Sequence, residues 1–379
     1  MKLLHTSDWH LGMLINSVDI SEDQQLFIDQ IREIVKDRQI DAVLIAGDIF
    51  DRANVSGETI KLYDDAVTGL CAGDGVKTFV IAGNHDGAER LAQCSRLLEG
   101  SGLYVAGALE RPVKKVEFDD ADIYLLPWAE TAKVRYLFPE HAEEITGAEN
   151  AYRMICDSIR ENMNRSKKNI LLSHAFIVDA ETSVSDRAAE IGFASAISAD
   201  VFEGFDYVAL GHIHKPQDIT DCIRYSGTPM PYSFGREETQ EKSVTVIDTE
   251  DMSREIVPLK LLHERNTLQG KYEELLKGDV PEEVRSGFVR VELTDKFLGT
   301  ETMLALRQVY PNILEGRGLT YDDGDAKATL TAEDLKRLSS DPTAIFRSFC
   351  ADVIGTKPDE EQIARFLEAF GSEGEEELQ

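Results

Sequence analysis

Seven side chains that can bind metal ions occur along the chain in five short motifs, and each motif follows an apolar run. Carboxylate, amide and imidazole donors together suit Mn, Fe or Zn, and seven donors exceed the needs of one ion. Two ions about 3.5–4 Å apart that share one carboxylate would use all seven and would suit in-line attack on a phosphoryl centre. The residues therefore predict a phosphoester hydrolase with two bound ions. The seven are Asp8, His10, Asp48, Asn84, His174, His212 and His214.

The apolar runs that precede these motifs predict buried strands of a parallel or mixed sheet, because they are short and end at Gly or Asp. Side chains just beyond the C-terminal ends of such strands line the crevice where α/β folds bind ligands. A single histidine after a strand is more often a capping or surface residue. Five motifs in one order favour a shared site instead. The runs are LLHTS, AVLIA, TFVIA, NILL and YVAL.

Composition predicts an intracellular enzyme of more than one domain. The 379 residues exceed one typical core, and 42% of them are hydrophobic. No apolar stretch approaches the roughly 18 residues needed to cross a membrane, and Met1 leads straight into a strand without a signal peptide. The five cysteines are scattered and lack CxxC spacing, which indicates reduced thiols and a cytoplasmic location.

The formal net charge of −30 bears on which substrate the site would take. Proteins that hold DNA by themselves usually present a basic face, because neutralisation of phosphates supplies most of the affinity. Charge alone therefore favours a phosphodiesterase that acts on small molecules. The other interpretation is that a partner supplies much of the DNA grip, since part of the acidity lies in a solvated C-terminal run of glutamates.

The order of predicted elements indicates two packed sheets covered by helices. Strands predicted at Leu3–His5, Ala42–Ala46 and Thr78–Ala82 alternate with helices, a βαβαβ pattern. Shorter strands and one long helix follow along the chain. The predicted helices are one opened by a capping box at Ser21–Gln24, then Ser56–Leu70, Glu89–Leu98 and Glu149–Asn164. The later strands are Leu103–Val105, Val113–Phe118, Asp122–Leu126, Ile170–Ser173, Tyr207–Leu210, Ile223–Ser226, Ser243–Asp248 and Arg254–Pro258.

Domain boundaries are predicted from changes in this pattern. Residues 1–260 form the domain with the metal-type motifs, and residues 261–330 form a small α/β domain that caps the cleft. Residues 331–371 are helical and residues 372–379 are an acidic tail. Ile363, Phe366, Leu367 and Phe370 form an amphipathic stripe, which either packs on its own domain or docks a partner. Within the capping domain we predict helices at Thr267–Leu276 and Glu301–Val309 and strands at Phe288–Leu293 and Ile313–Leu319.

The motifs resemble those of the calcineurin-like metallophosphoesterases. The segment YSGTPMPYSFGREE at residues 225–238 narrows the resemblance to the double-strand-break repair nucleases of that superfamily. The resemblance implies a four-layer αββα sandwich of two mixed sheets. The matching motifs are SDWHLG (7–12), AGDIFDR (46–52), GNHD (83–86), Ser173-His174 and ALGHIHKPQ (209–217).

The resemblance also implies a role for each site residue. One ion would be held by Asp8, His10 and His214, and the other by Asn84, His174 and His212. Asp48 would bridge the two ions, and Mn²⁺ is expected, with Mg²⁺ as the alternative. His85 would be the general acid at the scissile phosphate, since imidazole titrates near neutral pH. Many relatives carry a histidine three residues after the bridging aspartate, whereas this chain has Asp51 there. We expect Asp51 to orient a ligand histidine without itself contacting the ion.

The resemblance implies a DNA nuclease subunit that acts as a double-strand exonuclease and a hairpin or single-strand endonuclease in repair, recombination and replication. Its partner would be a coiled-coil ATPase, because no GxxxxGK[ST] motif occurs in this chain. The expected assembly is a homodimer within a heterotetramer at the nucleoid. The alternative is a stand-alone phosphodiesterase or phosphatase. A non-catalytic scaffold is disfavoured by the complete ligand set.

Overall fold

Two mixed six-stranded sheets dominate the computed structural model, which describes residues 1–178, 180–182, 196–318, 362, 363 and 365. Met1–Leu319 form one compact unit. The predicted helices at residues 331–371 and the acidic tail fall almost entirely outside the described residues. The division at residues 260 and 261 stays a prediction.

The strands are short and mostly buried, as expected for the inner layers of a sandwich. They are β1 (Lys2–Thr6), β2 (Leu14–Ile15), β3 (Val18–Asp19), β4 (Ala42–Ile45), β5 (Lys77–Ile81), β6 (Leu103–Ala106), β7 (Lys114–Glu117), β8 (Ala121–Leu126), β9 (Lys168–His174), β10 (Phe176–Ile177), β11 (Ala196–Ile197), β12 (Tyr207–Gly211), β13 (Gln217–Asp218), β14 (Ile223–Tyr225), β15 (Ser243–Asp248), β16 (Arg254–Pro258), β17 (Arg265–Gly270), β18 (Phe288–Leu293) and β19 (Ile313–Arg317).

The helices pack on the outer faces of the sheets or between strands of the C-terminal part of the unit. They are α1 (Ser21–Arg38), α2 (Gly57–Thr68), α3 (Ala88–Leu91), α4 (Ser95–Leu98), α5 (Thr131–Leu137), α6 (Ala148–Glu161), α7 (Tyr272–Leu275), α8 (Glu282–Ser286) and α9 (Thr300–Arg307). A π-helical turn at Gly69–Gly73 extends α2.

Both large sheets combine four parallel strands with two strands that run antiparallel to their neighbours. The first has the order β16-β15-β1-β4-β5-β6, in which β1, β4, β5 and β6 are parallel and β15 and β16 are antiparallel to their neighbours. The second has the order β13-β14-β12-β9-β8-β7, with β14, β12, β9 and β8 parallel and both edge strands antiparallel. The parallel strands of each sheet therefore end at a common edge.

Alternating side chains divide the core into layers, as the period of two in a strand requires. Leu3 and Leu44 face the second sheet, where they meet Ile170 and Leu172. Neighbouring residues on the opposite face of the first sheet pack on α1 and α2. The outer face of the second sheet packs on α5 and α6. The predicted four-layer αββα sandwich is confirmed.

A third, smaller sheet follows the sandwich in the chain. Its three parallel strands have the order β17-β18-β19, and they share a core with α7 and α9. The sheet is fastened to the sandwich at several points. The Arg265 Nε donates to the Pro231 carbonyl at 2.7 Å, and the Asn16 amide donates to the Leu314 carbonyl at 3.0 Å. A small α/β element beside the sandwich was predicted. Its observed elements differ from the predicted ones chiefly where strand β17 replaces most of a predicted helix.

Three local predictions were wrong. The helix predicted at Thr267–Leu276 is strand β17 followed by the single turn α7, because residues 265–270 pair with β18 along their whole length. The helix predicted at Glu89–Leu98 is broken into α3 and α4 at Cys94, whose φ of 58° leaves the helical region. The helix α1 begins without a capping box, since the Gln24 side chain donates to the His10 carbonyl at 2.9 Å instead.

Candidate metal centre

All seven predicted ligands lie where the parallel strands of the two sheets end. Backbone hydrogen bonds fasten the loops to one another: the Asp8 amide donates to the Gly47 carbonyl at 3.0 Å, and the His10 amide donates to the Asp48 carbonyl at 3.0 Å. In the second sheet His174 pairs in register with Gly211, one residue before His212. The strand ends thus bring together side chains more than 200 positions apart in the sequence.

The backbone at four of these side chains is strained. Their φ values are positive, a region that residues other than glycine seldom adopt: 52° at Asp8, 42° at His10, 48° at Asp48 and 102° at His212. Each such residue costs of the order of 1–3 kcal/mol and persists only when its surroundings fix it. The strain is therefore concentrated on residues that point into one centre.

Glycines allow this crowding. A Cβ on Gly47, which has a φ of +86°, would lie 2.4 Å from the His174 Nδ1. A Cβ on Gly83 would lie 2.1 Å from the Asp48 Oδ1. Neither position can carry a side chain without displacing a predicted ligand.

The first group of ligand atoms comes from Asp8, His10 and His214, which are all buried and lie within 4.8 Å of one another. The Nε2 atoms of His10 and His214 are 3.1 Å apart. The Asp8 carboxylate accepts the His212 amide at 2.9 Å and the Ser7 hydroxyl at 2.5 Å. Within the described residues, the His10 Nδ1 is buried without a hydrogen-bond partner. Two imidazole nitrogens and a carboxylate that converge in this way fit a divalent ion.

The second group comes from Asp48, His174 and His212, together with Asn84. The His174 Nδ1 donates its proton to the Ala46 carbonyl at 2.8 Å, so Nε2 is the atom that a bound ion would meet. That Nε2 lies 3.0 Å from the Asn84 Oδ1, which is itself an acceptor, and the His212 Nδ1 lies 3.0 Å from the same oxygen. An amide oxygen and two imidazole nitrogens that converge so closely beside the Asp48 carboxylate fit a cation between them.

Asp48 lies between the two groups. Its Oδ2 is 3.9 Å from the His10 Nε2 and 3.3 Å from the His174 Nε2, and its Oδ1 accepts the His85 amide at 3.0 Å. The carboxylate therefore has an oxygen directed at ligands of both groups, as a bridging residue would. Each group also combines residues from both large sheets.

Burial and mutual charge set the protonation of the centre. Removal from water lowers the pKa of His10 and of His212 to about 3 and that of His214 well below its ordinary value, so these imidazoles are neutral. Burial also disfavours charge on His174 and Asp48, but their proximity dominates: the pKa of His174 is raised and that of Asp48 is lowered. Burial, with Asp48 nearby, raises the pKa of Asp8 to about 7.

His85 stands beside the ligands without belonging to either group. Its Nδ1 lies 2.8 Å from the Asp51 carbonyl, and its Nε2 lies 3.9 Å from the Asp48 Oδ2. Its ring contacts the His10 ring edge-on at 4.9 Å. The backbone carbonyl of Asp51 thus orients His85, whereas the Asp51 carboxylate lies near His10 and His85 and accepts two bonds from Arg52.

Some residues that the sequence analysis did not single out also support the centre. The Asp86 carboxylate accepts the amides of Ile49, Phe50 and Gly83 at 2.9–3.1 Å, so it joins the loop of Asp48 to the loop of Asn84. Burial, followed by the charge of Asp48, raises the pKa of Asp86 to about 6. Its place at the end of the GNHD motif was the available signal.

Two residues of the segment 225–242 buttress the first group. The Tyr232 hydroxyl donates to the Trp9 carbonyl, and its ring contacts His10 edge-on at 5.6 Å. The buried Lys242 ammonium donates to the His214 carbonyl at 3.1 Å. On the side of the second group, the Trp128 ring stacks on His212 at 5.4 Å. None of these is a metal donor, so a search for donors passes over them.

Within the described residues, no helix is long and apolar enough to cross a membrane.

The chain is similar to known proteins over most of its length. The family model described as calcineurin-like phosphoesterase matches residues 1–216. A protein from Staphylococcus epidermidis that is named as the SbcD part of the nuclease SbcCD is 32% identical over 329 residues, which cover 86% of this chain and 87% of that protein. A protein of the same name from Staphylococcus saprophyticus is 28% identical over 380 residues, 99% of this chain and all of that protein. The solved phosphopantetheinyl hydrolase of Mycobacterium tuberculosis covers 60% of this chain and 90% of its own at 15% identity, with a TM-score of 0.34.

Proposed function

Because the chain belongs to the calcineurin-like phosphoesterase family and is homologous over most of its length to proteins named as the SbcD part of the nuclease SbcCD, we propose that it is a DNA nuclease subunit that hydrolyses phosphodiester bonds at a two-metal centre. The proposed activities are exonuclease action on duplex ends and endonuclease action on hairpins and single strands. The proposed cellular roles are DNA repair, recombination and replication, in the cytoplasm at the nucleoid.

The position of Asp48 carries the proposal. One carboxylate faces the His10 Nε2 at 3.9 Å and the His174 Nε2 at 3.3 Å, and the remaining predicted ligands converge on either side of it. The donor set of carboxylate, amide and imidazole groups suits Mn²⁺, and Mg²⁺ is the alternative. When bound, a pair of such ions polarises a phosphoryl group and neutralises the charge that develops on it.

The protein's own part is to hold neutral imidazoles and the ionised Asp48 carboxylate in place. Low pKa values keep the lone pairs of His10, His212 and His214 available near neutral pH. In the metal-free centre His174 and Asp48 favour a charged pair, so a bound cation would take the place of the His174 proton. Asp86 and the strained loops keep these side chains from rearranging.

His85 is proposed to move the proton of the reaction. Its Nδ1–H donates to the Asp51 carbonyl, which fixes the ring and leaves Nε2 to hold a second proton. That Nε2 lies 3.9 Å from the Asp48 Oδ2, beside the proposed ions, and we expect it to protonate the oxygen that leaves the scissile phosphate.

A partner subunit is part of the proposal. The relatives are named as one part of an SbcCD nuclease, and the chain's net charge of −30 leaves DNA binding in need of help. We propose an SbcC-like coiled-coil ATPase, docked by residues 331–371, which the sequence predicts to be helical, in a heterotetramer that contains two copies of this chain. The small sheet of β17, β18 and β19 would restrict which DNA ends reach the centre.

The acidity of the chain also favours a second candidate, a stand-alone phosphodiesterase or phosphatase that acts on small or protein substrates. The same centre would serve it, and no DNA-binding face would be required. The two candidates differ in substrate and in dependence on a partner.

One experiment separates them. Purified chain with Mn²⁺ is offered hairpin DNA, linear duplex DNA and cyclic nucleotides, with and without the ATPase. The proposal expects cleavage of DNA, stimulated by the ATPase, and little turnover of cyclic nucleotides. Rapid cyclic nucleotide hydrolysis that ignores the ATPase, with no cleavage of DNA, would establish the second candidate instead.

A further inference from the structure

Trp128 lies just beyond the end of β8, and its indole stacks on the imidazole of His212. The ring centroids are 5.4 Å apart and the planes are inclined by 21°. We propose that Trp128 is a positioning residue that fixes the His212 ring for the ion of the second group. This inference rests on the proposed function, since it assumes that His212 is a ligand.

His212 requires such support because its own backbone is strained, with a φ of 102°. The Asp8 carboxylate holds the His212 main chain through its amide at 2.9 Å, but this bond does not fix the plane of the ring. The ring nitrogen Nδ1 lies 3.0 Å from the Asn84 Oδ1 and 3.3 Å from the His174 Nε2, so a bound cation at this point would meet all three atoms. A flat surface against one face of the ring restrains the remaining rotation.

Trp128 is itself anchored to the elements that carry the second group. Its amide donates to the Ala82 carbonyl at 2.9 Å, two residues before Asn84. Its ring also contacts the His174 ring edge-on, with centroids 6.1 Å apart and an interplanar angle of 75°. One residue therefore touches two of the predicted ligands and the strand end that leads to a third.

The first group is supported differently. There the aromatic neighbour is Tyr232, which contacts His10 and His214 edge-on, with centroids 5.6 and 6.3 Å apart and neither ring stacked. Loss of the Trp128 ring should therefore weaken one ion site and spare the other. The stack should also favour the ion-bound form, because coordination makes an imidazole more electropositive and the indole face is electron-rich.

Titration calorimetry of the full chain with Mn²⁺, without DNA, tests the inference. Wild-type protein should bind two ions. Trp128→Leu should bind one of them with a Kd raised about 3- to 10-fold, the range expected for loss of an aromatic pair, and should bind the other as before. Trp128→Phe, which keeps a ring, should recover part of the lost affinity. Equal affinities in Trp128→Leu and wild type would overturn the inference.

A double-mutant cycle makes the test specific. Against a His212→Ala background, Trp128→Leu should have no further effect on Mn²⁺ binding, whereas an undiminished effect would show that Trp128 acts elsewhere and would reject the inference. Tyr136→Ala is the matched control, because Tyr136 is 78% exposed and should leave both affinities unchanged. Wild-type protein that bound fewer than two ions would contradict the proposed function instead.

A spectroscopic measurement decides the question even if Trp128→Leu does not fold. The chain has two tryptophans, so Trp9→Phe leaves Trp128 as the sole indole emitter. Mn²⁺ that binds through His212 should quench this emission. The Kd obtained from quenching should equal the Kd that calorimetry assigns to the ion of the second group. Emission that stays constant while Mn²⁺ fills both sites would overturn the inference.

Discussion

The Oδ2 of Asp48 lies 3.3 Å from the Nε2 of His174, and in the metal-free centre the two residues favour a charged pair, with the proton on His174. They come from different sheets and are both buried. The pair is therefore the point at which a divalent ion would compete with a proton.

Replacing Asp48 should abolish hydrolysis. Asp48→Asn keeps the size of the side chain but removes the charge shared by both groups, so we expect a fall in kcat of at least about 10³-fold, equivalent to roughly 4 kcal/mol. Hydrolysis of a DNA duplex in Mn²⁺ measures it. Asp65→Asn is the control, because Asp65 is an exposed partner of Lys61 far along α2. Full activity of Asp48→Asn would eliminate the two-metal mechanism.

His85 should affect turnover and spare metal binding. His85→Ala is expected to lower kcat by about 10²–10⁴-fold, the usual worth of general acid or base assistance. Calorimetric titration with Mn²⁺ should still count two ions. If His85→Ala lost an ion as completely as His174→Ala, His85 would be a ligand and its role as an acid would be wrong.

Mn²⁺ should support activity better than Mg²⁺ at equal concentration. Four of the seven predicted ligands are histidines, and imidazole suits transition metals better than it suits Mg²⁺, which prefers oxygen ligands. Initial rates in chelator-stripped protein after addition of each ion measure the preference. Higher rates in Mg²⁺ would mean that the imidazoles are not the main ligands.

His5 should make stability depend on pH below neutrality. Burial, with Arg224 nearby, lowers its pKa from 6.5 to about 3. In the unfolded chain His5 takes up a proton below about pH 6.5, whereas in the native protein it does so only below about pH 3. The free energy of unfolding therefore falls as the pH drops through this window. At about 1.4 kcal/mol per unit, the loss from this residue between pH 6.5 and 5 is about 2 kcal/mol.

Urea unfolding at pH 7 and pH 5 with a chelator present checks this expectation. His5→Gln should lose about 2 kcal/mol less than wild type between the two values, since it removes the titrating group. His141→Gln is the control, because His141 is exposed and bonded to Glu144. Identical pH dependence in His5→Gln and wild type would show that His5 is not kept neutral.

Removal of the C-terminal segment should separate catalysis from assembly. Deletion of residues 356–379 should abolish binding of the ATPase and leave hydrolysis of a small phosphodiester by the isolated chain unchanged. Pull-down and an intact thermal transition measure the two effects. A truncated protein that stays folded and binds the ATPase at full affinity would end the docking hypothesis, and one that unfolds would place the segment in the protein core.

The sandwich, and the meeting of the predicted ligands in one centre, could be predicted because local signals agree with the tertiary structure. Apolar runs end at Gly47, Gly83 and Gly211, and the next polar residue is a predicted ligand in each case. The strand β17 could not be predicted in this way. Its residues Leu268 and Gln269 suit a helix, and only pairing with β18, some 23 positions away, makes the strand.

The supporting residues escaped prediction for a different reason. Trp128, Tyr232 and Lys242 act through stacking or through bonds to backbone carbonyls, and such contacts leave no pattern of spacing. Gln24 is misleading, because its place three residues after Ser21 suits a capping box while its side chain holds the His10 loop. Local sequence reports which element a residue is in, but not which neighbour from another element it meets.

Each ligand group takes side chains from both sheets, and this has a consequence for how the protein comes apart. An ion in either group would link the two sheets through its ligands, and the sheets could separate only after the ion was released. Metal loading should therefore slow unfolding itself, beyond any shift in the equilibrium. A cell short of the metal would hold a form that is inactive and also more easily opened and degraded, so supply of the ion would set the lifetime of the protein as well as its rate.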